Sequence, residues 1–246
     1  MTAYVQAPLG EICEINPRVT RGKHSDDMLV SFVPMATVDE RLGVIGLCEE
    51  RPLAEVSKGY TAFEDGDVLF AKITPCMENG KTALARNLTN GIGRGSTEFY
   101  ILRPSHRVLG EYVYHFVRRT RFREEAKRNF TGTAGQQRVP KSFMENVSVP
   151  LPSLDEQRRI VGILNRAAKI ERLRAKAAER FREFIPALFV KMFGDQDQIG
   201  VKFQCLPLRE TAAIVSGATK GRKINPADAI EVPYLRVANV QDGFLD

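Results

Sequence analysis

The sequence predicts an α+β protein in three parts: a mixed α/β domain over 1–152, a long coiled-coil-forming helix over 153–194, and the start of a second domain over 195–246. Three observations predict it. A pattern of turns and strand-like runs near the N-terminus recurs near the C-terminus at a steady offset. Helical sequence with apolar steps of three and four fills the stretch between the two occurrences. Short β-rich runs bounded by Gly, Pro or Asp precede it, mixed with one amphipathic helix.

In the first part, the β-rich runs are Leu29 to Ala36, Asp67 to Ile73, Glu98 to Leu102 and Val147 to Val149. Leu109, Val113, Phe116 and Val117 fall on one face of a helix ending near Asn129. Its other side carries Arg118, Arg119, Arg121, Arg123, Lys127 and Arg128, a cluster suited either to phosphate contact or to plain solvation.

The long helix has the clearest signals. Pro150-Leu151-Pro152 ends a strand, and Ser153-Leu154-Asp155-Glu156 reads as a capping box. In that motif the Ser153 hydroxyl accepts from the Glu156 amide while the Glu156 carboxylate reaches back to the Ser153 amide. Helix-forming sequence continues to Phe193, where Gly194 supplies a left-handed stop. About forty residues at 1.5 Å each make a rod of roughly 60 Å, which Pro186 should kink or shorten. Its seam is Ile160, Ile163, Leu164, Ala167, Ile170, Leu173, Ala177, Phe181, Phe184 and Leu188. The opposite face is strongly basic, with Arg158, Arg159, Arg166, Lys169, Arg172, Arg174, Lys176 and Arg180, and reads as a solvated surface. Such a seam calls for another helix, from a second copy of the pattern or from another chain.

The repeat follows. Leu9-Gly10-Glu11-Ile12 is echoed by Leu208-Arg209-Glu210-Thr211, and Thr20-Arg21-Gly22-Lys23 by Thr219-Lys220-Gly221-Arg222. Phe32 to Asp39 is echoed by Tyr234 to Gln241, with the offset near 200 residues throughout. The expectation is one full unit followed by a truncated second one.

Composition sets the outer limits. The chain has 246 residues, 43% hydrophobic and 27% charged, which suffices for a buried core and excludes wholesale disorder. No run of about 18 apolar residues occurs and Met1-Thr2-Ala3-Tyr4 does not open a secretory signal, so a cytoplasmic protein with no membrane partner is expected. Lys+Arg 36 against Asp+Glu 30 gives +6, which fits a polyanion partner. Cys13, Cys48, Cys76 and Cys205 lie far apart without a C-x-x-C pair, so reduced, packed thiols are expected and no metal. His24, His106 and His115 are equally scattered, and His115 reads as structural.

Catalytic motifs do not assemble. Gly91-Ile92-Gly93-Arg94-Gly95-Ser96 lacks the spacing of a phosphate loop and precedes a strand rather than a helix. Asn16-Pro17-Arg18 lacks the aromatic residue of an amino-methyltransferase motif, and no Ser-His-Asp or Cys-His set forms. The chain therefore reads as non-catalytic, with no cofactor of its own.

Three polar loops remain. Lys72, Thr74, Glu78, Asn79 and Lys81 come from the first, Arg94, Ser96 and Thr97 from the second, and Thr133, Gln136, Gln137 and Arg138, with nearby Lys141, from the third. Forked donors and acceptors of these types read base edges, and Lys, Ser, Thr and glycine amides bind phosphates.

Several runs resemble a known family. Val149-Pro150-Leu151-Pro152-Ser153-Leu154-Asp155-Glu156-Gln157-Arg158-Arg159-Ile160-Val161 resembles the junction between recognition domain and conserved helix in specificity subunits of type I restriction-modification systems. Ala187 to Asp195 looks like the end of that helix, and Gly66 to Ile73 and Gly132 to Pro140 resemble stretches within the recognition domains. The resemblance implies two recognition domains on antiparallel helices that act as a ruler, each domain reading half of an interrupted double-stranded DNA target. It also implies docking of modification subunits, which methylate adenine with S-adenosylmethionine, and of restriction subunits using ATP and magnesium. Here the second domain stops at Asp246 and the second helix is missing, which suggests an antiparallel homodimer through 153–194. Two alternatives stay open: an assembly protein that reads no DNA, and a metal-dependent nuclease with Asp67 and Glu78 as ligands.

Overall fold

A computed structural model describes residues 4–18, 25–133, 135–195, 203–214, 240–241 and 244–245. Its contacts divide the chain into two units, Met1–Phe181 and Arg182–Asp246.

In the first unit β1 (Gln6–Pro8) enters a single helical turn, α1 (Leu9–Ile12), and β2 (Cys13–Ile15). Then come β3 (Leu29–Val33), a hairpin of β4 (Val38–Asp39) and β5 (Val44–Ile45), β6 (Glu49–Pro52) and α2 (Leu53–Val56). Next are β7 (Thr61–Glu64), β8 (Val68–Ala71), α3 (Cys76–Asn79), β9 (Thr82–Leu84), β10 (Ile92–Gly95) and β11 (Phe99–Pro104). Helices α4 (Gly110–Arg118), α5 (Thr120–Arg128) and α6 (Lys141–Asn146) precede β12 (Ser148–Pro150) and the long α7 (Leu154–Phe193).

Two four-stranded sheets carry this unit, in the orders β6-β3-β10-β7 and β2-β11-β8-β9. Only the β3–β10 pairing within them is parallel. Alternation along the strands explains the layering, because successive side chains point to opposite faces. In β8, Val68 and Phe70 enter one core and Leu69 and Ala71 another; in β11, Tyr100 and Leu102 part from Phe99 and Ile101 in the same way. The first core is closed by Val113, Phe116, Phe122 and Met144 of α4, α5 and α6. The second is closed by Val33 and Phe63 of the other sheet. The order of layers is sheet, sheet, helices.

The glycine-rich run is a correction to the loop expected there. Ile92–Gly95 is a central strand paired on both sides. A Cβ on Gly93 would lie 2.2 Å from the Phe63 ring, and one on Gly95 would lie 2.5 Å from the Val33 carbonyl oxygen. Close approach between layers, not loop freedom, requires glycine here.

A second correction concerns the helix expected to run from Leu109 to Asn129. It breaks at Arg119, whose φ of -59° and ψ of 138° are extended. At about 100° per residue, a straight helix would rotate Phe122 roughly 240° away from Phe116. The break lets both rings enter the core, 5.4 Å apart between centroids.

The start of α7 keeps half of the capping box. The Glu156 amide donates to Ser153 Oγ at 3.3 Å, but the Glu156 carboxylate turns to the Arg159 guanidinium and the Tyr4 hydroxyl. Gln157, with no exposed surface, takes over the anchoring. Its Nε2 donates to the carbonyls of Arg107 (3.1 Å) and Pro152 (2.9 Å), and its Oε1 accepts from the Leu109 amide at 2.9 Å. Pro186 does not shorten the helix, which continues to Phe193 before Gly194 at φ 90°.

In the second unit a single turn, α8 (Leu208–Thr211), follows Pro207, and β13 (Val240–Gln241) pairs antiparallel with β14 (Phe244–Leu245). Both features repeat the first unit. In α1 the Cys13 amide closes on Leu9 after Pro8, in α8 the Ala212 amide closes on Leu208, and β4 pairs with β5 over two residues as β13 does with β14. The echoed runs 20–23, 219–222 and 234–239 lie outside the described residues. Among the thiols, Cys13 is packed, and burial pushes its pKa up to about 12; Cys205 is exposed, against the expectation of a packed thiol.

Replacing Gln157 by Leu keeps the bulk and strands three backbone groups. Urea unfolding is expected to show a loss on the order of 2–3 kcal/mol. An unchanged midpoint would contradict the anchoring role.

Candidate nucleic-acid interface

The structure brings parts of all three polar loops to one rim of the β2-β11-β8-β9 sheet, where β8 ends and β11 begins. The Lys72 amide donates to the Glu98 carbonyl and the Val139 amide to the Lys72 carbonyl, both at 2.9 Å. The Thr74 amide donates to the Gln137 carbonyl at 3.0 Å, and the amides of Thr131 and Arg138 each donate to the other's carbonyl. Lys72, Thr74, Ser96, Thr97, Gln136, Gln137 and Arg138 therefore surround one place, with Thr133 in the adjoining turn.

Charges on the rim are paired. Arg138 Nη2 donates to Glu98 Oε1 at 2.8 Å and Nε to both Glu98 oxygens, while Nη1 donates to the Gln136 carbonyl at 3.0 Å. The Arg138 hydrogen bonds hold the Glu98 carboxyl below the usual carboxylate range. Lys72 Nζ lies 5.4 Å from the centre of the Tyr100 ring, whose hydroxyl donates to the Val139 carbonyl. Ser96 Oγ accepts from the Glu98 amide at 3.2 Å, and Thr97 is exposed.

Other residues of the expected set have internal work. Lys81 Nζ donates to the carbonyls of Val38 (2.8 Å) and Met35 (3.2 Å). Arg94 is buried in β10 rather than displayed on a loop. Glu78 pairs with Lys127 at 2.6 Å and accepts from the Thr74 hydroxyl; both contacts, Lys127 foremost, lower its pKa. Asn79 is exposed beside it, and Lys141 pairs with Glu145 on α6.

Part of the basic cluster after Leu109 has partners within the domain. Arg118 donates to the Arg41 carbonyl at 3.0 Å, Arg123 to the Glu78 carbonyl at 2.7 Å, and the Arg119 guanidinium lies 3.9 Å over the Phe116 ring. Arg119, Arg121, Lys127 and Arg128 are the exposed members. The proposed nuclease ligands are also engaged: buried Asp67 takes a two-point contact from Arg103 at 2.8 Å, and Glu78 is paired as above. Among the described residues no group of three or more His, Cys, Asp or Glu is placed to hold a metal, and no helix is long and apolar enough to cross a membrane.

On α7 the seam starts inside the domain and then emerges. Ile160 packs on the first core and Val161 is buried, whereas Ile163, Ile170, Leu173 and Phe181 are 45%, 57%, 57% and 64% exposed. Leu164, Ala167 and Ala177 in the first unit are exposed as well, and so are Phe184 and Leu188 in the second. His115 is structural: its Nε2 lies 2.9 Å from Asn165 Oδ1, and burial lowers its pKa.

Two stacked sheets under a helical cap, leading into a helix of 40 residues, define a two-part α+β class. Residues 3–179 match the family model described as type I restriction modification DNA specificity domain, and the chain belongs to that family. It is 40% identical over 159 residues to the type I restriction enzyme EcoEI specificity subunit of Escherichia coli, covering 64% of this chain and 26% of that one. With the EcoAI specificity subunit of the same organism it shares 39% over 154 residues, 62% of this chain and 26% of the relative. The chain thus spans about a quarter of these relatives. The specificity role is a non-catalytic one, in keeping with the reading of the sequence. The fold is similar to a chain solved in work on complex assembly and conformational transition of the type I R-M system (TM-score 0.56, 23% identity, 79% of this chain, 50% of that one). It is also similar to the HsdS subunit of Thermoanaerobacter tengcongensis (TM-score 0.52, 22% identity, 79% and 50%).

Glu98 is the residue of the rim that the expected contact set omitted. Its lowered pKa means that the pairing with Arg138 is intact above the carboxylate's ordinary value near pH 4.3 and is lost as pH falls through the lower folded-state value. Limited proteolysis should therefore find the 131–138 segment more susceptible only under acid conditions, with Glu98→Gln susceptible at neutral pH. Equal susceptibility of both proteins at neutral pH would refute this.

Proposed function

We propose that the chain is a DNA-sequence specificity component of a type I restriction-modification system, reading one half of an interrupted target. Supporting this is the gathering of donor and acceptor side chains from three separate stretches on one sheet rim, within a member of the specificity-domain family. In this reading 1–152 is the recognition domain, 153–194 the spacer helix and 195–246 the start of a second recognition domain. Modification and restriction subunits dock on the scaffold and bring S-adenosylmethionine, ATP and magnesium with them, so catalysis stays outside this chain. The emergent seam of α7 takes a second such helix, and two chains pair antiparallel through 153–194 to present two recognition domains with two-fold symmetry.

Binding to the preferred duplex should weaken steadily with salt, because Lys and Arg contacts release counterions. Gln137→Ala should relax preference at one position of the target, a loss of about 1–3 kcal/mol in discrimination, whereas Arg121→Ala should weaken all sequences alike. Competition binding on duplexes mutated one base pair at a time measures both, and an unchanged profile for Gln137→Ala would remove that loop from the interface. Light scattering at micromolar concentration should show a dimer that Leu173→Glu returns to monomer; a monomeric wild type would sink the pairing.

A further inference from the structure

The geometry points to Glu98 and Arg138 as a buckle: Arg138 is a positioning residue and not a base reader, and it holds the turn that offers the Gln136 and Gln137 amides to DNA. This rests on the DNA-reading function proposed above and names which side chains of the rim do the reading.

An arginine reads guanine by presenting two parallel N–H groups to O6 and N7. In Arg138 the Nε–Nη2 edge already faces the Glu98 carboxylate, with contacts at 3.0 Å and 2.8 Å, and Nη1 donates to the Gln136 carbonyl. A two-point guanidinium–carboxylate contact is among the stronger and more directional ion pairs. The backbone is held as firmly. Arg138 exchanges both of its main-chain hydrogen bonds with Thr131, and the Gln137 carbonyl accepts from the Thr74 amide. The turn is thus tied to β11 through Glu98 and to the chain beyond β8 through Thr74. By contrast, among the described residues no hydrogen bond uses the side-chain amide of Gln136 or Gln137. Gln136 is exposed and Gln137 half-buried. A glutamine amide carries the donor–acceptor pair that matches adenine N7 and N6.

Charge gives a separate argument. A lone carboxylate on a surface that meets phosphates opposes binding. Glu98 has the wrong sign for a phosphate contact, but as the partner of Arg138 it makes a pair of zero net charge. The two explanations of Arg138 then predict opposite signs for one substitution. If Arg138 touches DNA, removing the Glu98 charge frees it and raises affinity. If the pair is a buckle, the same change lowers selectivity although it removes a negative charge.

The test uses the full chain with its modification subunit, selecting bound fragments from a random-sequence duplex library. Wild type should enrich one motif. Glu98→Gln and Arg138→Gln should each flatten the same positions of that motif and weaken binding to the enriched duplex about tenfold or more. The double variant should be no worse than either single one, since both break one contact. Thermal unfolding close to wild type shows that the variants are folded, and the flattened positions give a readout that a general structural role would not move. The buckle is overturned if Glu98→Gln keeps the motif with equal or tighter binding while Arg138→Gln loses preference at a guanine. If folded wild type enriches no sequence, the DNA-reading function itself fails and this assignment falls with it.

Discussion

A single buried amide, Gln157, determines how the long helix meets the sheet domain. A polar side chain with no exposed surface is tolerated only where its donors and acceptor are matched, and Gln157 matches all of them with main-chain groups of Arg107, Leu109 and Pro152. Those groups flank the entry to α4 and the exit from β12. The pairing of β1 with β12 and the hydrogen bond from the Tyr112 hydroxyl to the Pro150 carbonyl close the same corner. The first turns of α7 therefore leave the domain in a direction fixed by hydrogen bonds rather than by apolar contact alone.

From that corner the constraint passes inward. α4 packs Val113, Phe116 and Val117 on the sheet of β8 and β11, and its Arg118 grips the carbonyl of Arg41 in the β4–β5 hairpin. With a core on each face, β8 and β11 have little freedom to shift, because interiors pack densely and resist sliding. Their ends carry the rim where Lys72, Glu98 and Arg138 meet. A rigid frame under polar loops is the usual arrangement for recognition, since displaced loops lose directional hydrogen bonds first.

Much of this was legible in the sequence, and the rest was hidden for identifiable reasons. Short apolar runs beside turn residues mark β8 and β11, the Ser153 region marks the start of α7, and Gly194 marks its end, because these signals are local. The recurrence of α1 as α8, and of the β4–β5 hairpin as β13–β14, follows from matching short patterns about 200 residues apart. The strand at Ile92–Gly95 was hidden because two glycines lower strand propensity, and the reason for them, the ring of Phe63, is about thirty residues away. The break at Arg119 was hidden because no proline or glycine announces it; the demand to bury both Phe116 and Phe122 is tertiary. The duties of Lys81 and Arg138 were unreadable, since the Val38 carbonyl and the Glu98 carboxylate are separated from them by 43 and 40 residues. Side-chain type showed that the loops are rich in donors, and only geometry divides those donors into internal ties and free amides.

The most direct measurement is a genome-wide map of methylated bases in cells expressing this chain with its modification subunit. Methylation confined to one interrupted motif with identical, inverted half-sites is the predicted result, since two copies of one recognition domain read the same half-site in opposite orientations. Absence of sequence-specific methylation, in cells where a full-length specificity subunit supports it with the same modification subunit, would contradict the account.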